Sequence, residues 1–143
     1  MKALTLLQPW ATLISIGAKK IETRSWLTTY KGPLAIHAAK SPKFMCLCDQ
    51  RPFSDKLFRE GIQSFGEVIA ICELVDCLVI SGKKQNYFYP VPGLGSFSIP
   101  PDEPEHSFGD YAPGRFAWIL LNVRALPKPV PAKGKLGLWE WQE

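Results

Sequence analysis

The sequence predicts an α+β fold: a small mixed β-barrel with helices packed against it. Three observations point there. Strand-like runs dominate the 143 residues, only two regions carry helical signals, and every connection is short except one. The length suits one domain, residues 1–143, large enough to bury a core without disulfide or metal staples. With 46% hydrophobic and 21% charged residues the chain is neither disordered nor fibrous.

Ala3–Leu7 reads as a short strand. Pro9 suits the first turn of a helix, and Trp10, Leu13 and Ile14 follow at helical spacing. Gly17 fits the residue just past the helix end. Lys19–Trp26 alternates as a strand, Lys31-Gly32-Pro33 turns the chain, and Pro33–Ala39 is a buried strand. Ser41-Pro42 is a helix start, and the helical region to about Gly61 breaks at Arg51-Pro52. Glu67–Ile80 is the most β-branched run and predicts a long central strand. Gly82–Gly114, rich in proline, glycine and aromatic residues, predicts a long functional loop. Phe116–Val123 and Leu136–Trp141 are strands, joined through the extended Pro127–Pro131.

Charge is unevenly placed. The net charge is +4, yet residues 1–60 hold ten Lys/Arg against four Asp/Glu, and residues 61–143 hold seven against nine. A polyanion-binding face therefore belongs to the first part of the chain. Gln8 and Pro9 cut short the apolar run at the N-terminus, and no apolar stretch reaches bilayer-spanning length. The expectation is a soluble, cytoplasmic protein with no membrane partner. Cys46, Cys48, Cys72 and Cys77 lack the C-x2-C spacing of a zinc site and read as free thiols.

The segment from Gln8 to Tyr30 concentrates the chemistry. On a strand, period two places Lys20, Glu22, Arg24 and Trp26 on one face and sends Ile21 and Thr23 to the core. Lys and Arg suit a phosphate, Trp a stacked base, and Glu an amine edge or a proton. The same pattern also describes a plain solvated face. His37, inside an apolar strand, reads as a satisfied rim histidine or a proton carrier. Arg115, after Pro113-Gly114, is a phosphate contact or a structural ion pair. Glu103, His106 and Asp110 form an incomplete metal set, so no metal and no cofactor is expected. Lys40, Lys43, Arg51, Lys56 and Arg59 form a basic, solvated region. The two tryptophans of LWEW read as core.

The stretch LTLLQPWATLISIGAKKIETRSWLTTYKGPLAIHAAK resembles the opening of an ASCH domain, the activating signal cointegrator homology family. Gly17, Lys19, Glu22 and Arg24 match its G-x-K-x-x-E-x-R motif, and GRFAWILLNV and KGKLGLWEW resemble its later segments. The resemblance implies a PUA-like barrel that binds RNA or a nucleotide, with single-stranded DNA as a second partner. Its implied site is a cleft using Lys19, Lys20, Glu22, Arg24, Trp26, Trp10, His37 and Arg115. It also implies an enzymatic alternative: a hydrolase of modified nucleosides, of the acetylcytidine amidohydrolase type, or a ribonuclease. Lys19 and Glu22 would then be catalytic, although Glu22 stands where that amidohydrolase type has a threonine. A third class, a protein-interaction adaptor in transcription or translation regulation, predicts an exposed apolar patch instead. Ligand identity and oligomeric state are not legible in the residues.

Overall fold

The computed structural model describes residues 1–80 and 104–143, together with the backbone of 87–90 and 97–98. The strands are β1 (Lys2–Leu6), β2 (Ile21–Arg24), β3 (Gly32–Ala38), β4 (Glu67–Ile80), β5 (Tyr87–Pro90), β6 (Phe97–Ser98), β7 (Phe116–Pro131) and β8 (Leu138–Glu140). Three short helices join them: α1 (Trp10–Ser15), α2 (Phe53–Lys56) and α3 (Pro104–Ser107). The pairing order is β2-β7-β4-β3-β1-β8, with β5 on β4 and β6 on β5.

This is the mixed α+β sheet expected, with β1 and β3 parallel and β1 and β8 antiparallel. The ring of strands does not close among the described residues. The two end strands, β2 and β8, are only four and three residues long. Each lies at an end of the pairing path.

The chain divides into two compact units: 1–19, 33–73 and 122–143 in the first, 20–32 and 74–121 in the second. β4 and β7 pass from one to the other. In β7 the change falls at Asn122, which adopts a left-handed φ of 53°, a conformation that asparagine tolerates better than most residues. The expected strand and the proline-rich connection after it are thus one element. Pro127, Pro129 and Pro131 alternate along it, so their missing N–H groups all fall on one edge.

In the first unit Ala3, Ala35, Val68, Ile71, Trp139 and Trp141 form one core cluster, which places both LWEW tryptophans inside as expected. Around Ser41-Pro42 the expected helix is reduced to 3-10 turns at Met45–Asp49 and Arg59–Gly61 flanking α2. Two X-Pro peptides, Gln8-Pro9 and Arg51-Pro52, are cis. Gln8 is fully buried and spans two elements. Its amide nitrogen donates to the Ser64 carbonyl at 3.0 Å, and its oxygen accepts the Thr12 N–H at 2.9 Å. The second contact satisfies an otherwise orphaned donor of the first helical turn.

In the second unit Ile21, Leu78, Ile80, Tyr111 and Ala117 pack together, with Ile119 against them. β2 pairs antiparallel with β7, Glu22 opposite Trp118 and Arg24 opposite Phe116. The expected long functional loop falls largely outside the described residues. Its described parts are β5, β6, α3 and the segment leading into β7. Among the described residues no helix is long and apolar enough to cross a membrane.

All four cysteines are free, Cys46 exposed and the other three buried. Burial, helped by the Glu73 charge, pushes the Cys72 thiol up to about 12. Burial likewise raises Cys48 and Cys77. Since the thiolate is the reacting species, titration of the native protein with a thiol reagent at pH 8 should show one fast cysteine, lost in Cys46→Ser. The other three should react only as fast as the protein opens. Two or more fast thiols would contradict this packing.

Candidate functional site

The geometry of the motif starts at a glycine. Gly17 has a left-handed φ of +81°, which lets the chain reverse after α1. The N–H groups of Ala18 and Lys19 then both donate to the Leu13 carbonyl, at 2.9 and 3.0 Å. This reversal carries Lys19 inward, and its side chain is fully buried. An ammonium so placed is tolerated only when polar groups surround it. Lys20, one residue on, is exposed.

In the second unit the entrance of β2 is held by Glu105 of α3. Its carboxylate accepts the Lys20 N–H at 3.0 Å and the Ile21 N–H at 2.7 Å. Glu105 was absent from the sequence-based candidates. Its neighbours Glu103, His106 and Asp110 drew attention as possible metal ligands, but nothing local marks an acidic residue that reaches 84 positions back. Glu103 lies outside the described residues. The His106 ring stacks on Tyr111 at 5.5 Å and 12°, and the Asp110 carboxylate accepts the Ala112 N–H at 3.1 Å.

Along β2 the expected alternation is present. Ile21 and Thr23 are buried, while Glu22 and Arg24 are half-buried on the other face. Glu22 Oε2 and Arg24 Nη2 are 3.1 Å apart, with side chains 13% and 26% exposed. Glu22 Oε1 also accepts the Thr23 N–H at 3.2 Å. Water screens an ion pair shielded in this way less than a surface pair, and both groups still reach solvent.

Arg115 locks the same strand. Its Nη2 donates to the Thr23 carbonyl at 3.2 Å, and its Nε donates to the Asp110 carbonyl at 3.0 Å. The Asp110 carboxylate lies 3.6 Å away. Arg115 thus has two main-chain acceptors and the carboxylate that its structural alternative calls for.

Trp26, just beyond β2, packs edge-on against Trp118 with centroids 4.7 Å apart at 87°. The Trp118 Nε1 donates to the Trp26 carbonyl at 3.4 Å. Trp118 is fully buried, whereas Trp26 is half-buried and keeps surface for a ligand. In the core of this unit, burial together with the charges of Glu105 and Glu22 raises the Tyr111 phenol far above its ordinary range, so it stays neutral.

Of the eight predicted site residues, Glu22, Arg24, Trp26 and Arg115 belong to the second unit, with Lys20 at the strand entrance. The other three belong to the first unit. Lys19 is in its core. Trp10 meets Phe44 and Phe53 edge-on, at 5.2 and 6.3 Å. His37 Nε2 lies 2.7 Å from the Ala132 carbonyl. The basic residues Lys40, Lys43, Arg51, Lys56 and Arg59 are exposed, as expected.

The family sequence model of the ASCH domain matches residues 4–129. The chain belongs to the ASCH domain family. The human protein "Activating signal cointegrator 1" is 27% identical over 144 residues, covering 96% of this chain. This chain spans only 22% of that protein's length. Among solved structures, ASCH from Zymomonas mobilis is similar at a TM-score of 0.52 and 13% identity, covering 99% of this chain and 87% of that one. A tyrosine-to-phenylalanine mutant of the same Zymomonas mobilis protein gives 0.54 and 14%, covering 99% and 90%. At such identities these likenesses establish the ASCH fold.

Removing the Glu105 carboxylate leaves the Lys20 and Ile21 amides without that acceptor, a loss of about 1–3 kcal/mol. Glu105→Ala should therefore lower stability in denaturant melts. Hydrogen exchange should accelerate first at the Lys20 and Ile21 amides. Unchanged exchange at both would contradict the assigned anchor.

Proposed function

We propose that this ASCH domain binds single-stranded RNA and reads it with the outer face of β2. The observation that carries the reading is the Glu22–Arg24 pair at 3.1 Å, half-buried yet solvent-reachable, with a half-buried tryptophan two residues further along the chain. Such a pair presents guanidinium donors and a carboxylate acceptor side by side. An unstacked base or a phosphate uses the donors, and an exocyclic amine uses the acceptor. Trp26 supplies a π-face that accepts any base, and Lys20 adds an exposed charge at the strand entrance. Family membership and the positive balance of residues 1–60 support the same partner.

The geometry favours binding over the amidohydrolase alternative. Where that chemistry asks for a hydroxyl nucleophile, this chain carries the carboxylate of Glu22. The adjacent hydroxyl of Thr23 is buried on the opposite face and meets the Asp110 N–H at 3.3 Å.

Fluorescence polarisation with a labelled single-stranded RNA tests the proposal. Arg24→Ala should weaken binding about tenfold, which corresponds to about 1.4 kcal/mol. Arg24→Lys should recover only part of it, since a point charge lacks the planar fork. Trp26→Ala should weaken binding by a similar factor. Thermal melts of each variant separate lost binding from lost folding. Well-folded variants that bind as tightly as wild type would overturn the reading.

A further inference from the structure

The first unit holds a second feature that shares no residue with the β2 motif. It is an open cleft of about 950 Å³, walled by Thr5, His37, Lys40, Lys133, Gly134 and Lys135 among others.

Its floor is built around His37. As β7 ends, the Ala132 N–H donates to the Gly66 carbonyl at 3.1 Å, while the Ala132 carbonyl faces His37 Nε2 at 2.7 Å. A carbonyl only accepts, so Nε2 carries a proton. Trp139 fixes the ring from one side, edge-on at 5.5 Å and 82°. The other ring nitrogen, Nδ1, is buried and has no hydrogen-bond partner, in a residue only 2% exposed. A buried polar atom with nothing to bond asks for a ligand.

Gly134 covers that edge of the ring. A Cβ added there would lie 2.9 Å from Nδ1, 2.7 Å from Cε1 and 2.8 Å from Thr5 Oγ1. No side chain fits, and the backbone over Nδ1 is the most adaptable kind. Reaching Nδ1 takes a displacement of the Gly134 main chain.

The rim is positive. Lys40, Lys133 and Lys135 are exposed, no carboxylate lines the cleft, and none of the three is in an ion pair among the described residues. The stem of Lys40 lies along Gly66, where a Cβ would come within 2.9 Å of Lys40 Cγ. Three unneutralised ammonium groups around a concave wall concentrate anions.

We propose that this cleft binds a phosphate ester. Lys40, Lys133 and Lys135 supply the counter-charge. His37 supplies the buried hydrogen bond: its protonated Nδ1 donates to a phosphate oxygen, or its bare Nδ1 accepts from a ligand hydroxyl. The phosphate comes from an RNA strand or from a free mononucleotide. The strand version rests on the RNA-binding reading above, and the mononucleotide version does not.

Two measurements on the full chain separate these. First, RNA affinity is followed from 50 to 200 mM salt for wild type and for a Lys40→Ala/Lys133→Ala/Lys135→Ala variant, whose changes are all on the surface. Each lost phosphate contact lowers the slope of log K against log salt by about 0.7 on a single strand, so the triple variant should lose a slope of about 2. Second, AMP is titrated into isotope-labelled protein and the NMR signals of the His37 ring and the Gly134 amide are followed. A reduced RNA slope supports the strand as source. AMP shifts that vanish in the triple variant support the mononucleotide, and they do so even if wild type binds no RNA, which would sink only the β2 reading. RNA binding with an unchanged slope and no AMP shifts at His37 or Gly134 would overturn the cleft proposal and leave the β2 reading standing. Absence of both RNA binding and AMP shifts would overturn both.

Discussion

One carboxylate sets up the motif strand. β2 is four residues long and pairs with β7 on one side, so little of its geometry follows from the sheet alone. Glu105 takes the amides of Lys20 and Ile21 at the strand entrance, and Arg115 takes the Thr23 carbonyl farther along. Between them these side chains do for β2 what a second neighbouring strand would do. A fixed strand has a fixed register, and a one-residue slip would exchange its faces. Glu22 and Arg24 meet on the outer face because Ile21 and Thr23 are pinned to the inner one.

Charge and burial then reinforce each other. Burial above all, then the charges of Glu105 and Glu22, keeps the Tyr111 phenol neutral. Arg24 and Arg115 are the two arginines at this strand. They differ in what they are tied to. Arg115 is bound mainly to main-chain oxygens and shapes the strand. Arg24 is paired with a neighbouring side chain that a ligand can exchange for its own groups. This difference is why β2 carries the binding reading, while Arg115 serves mainly to hold it.

Much of the fold was legible in local patterns. The β-branched run at Glu67–Ile80 is a single fourteen-residue strand, and the alternation after Lys19 orders the faces of β2 correctly, because both signals are contained in consecutive residues. What was not legible depends on distant partners. Glu105 bonds a strand 84 positions earlier, and Gln8 fastens α1 to Ser64. Lys19 and Lys20 are chemically alike, and only the turn at Gly17 decides that the first is buried and the second exposed. The lysines after β7 carry no local signal, since nothing nearby in sequence shows that His37 lies under Gly134. Among the described residues β2 and β8 do not pair with each other, which the abundance of β-structure did not foretell. The end strands are too short to announce their neighbours.

The central claim is that an RNA strand lies on the outer face of β2 and stacks on Trp26. Photocrosslinking with a 4-thiouridine-substituted single-stranded RNA, followed by peptide mass spectrometry, tests this directly. The account predicts that the main adduct maps to the peptide containing Glu22–Trp26 and disappears in Trp26→Ala. Efficient crosslinking that leaves this peptide unmodified would contradict it.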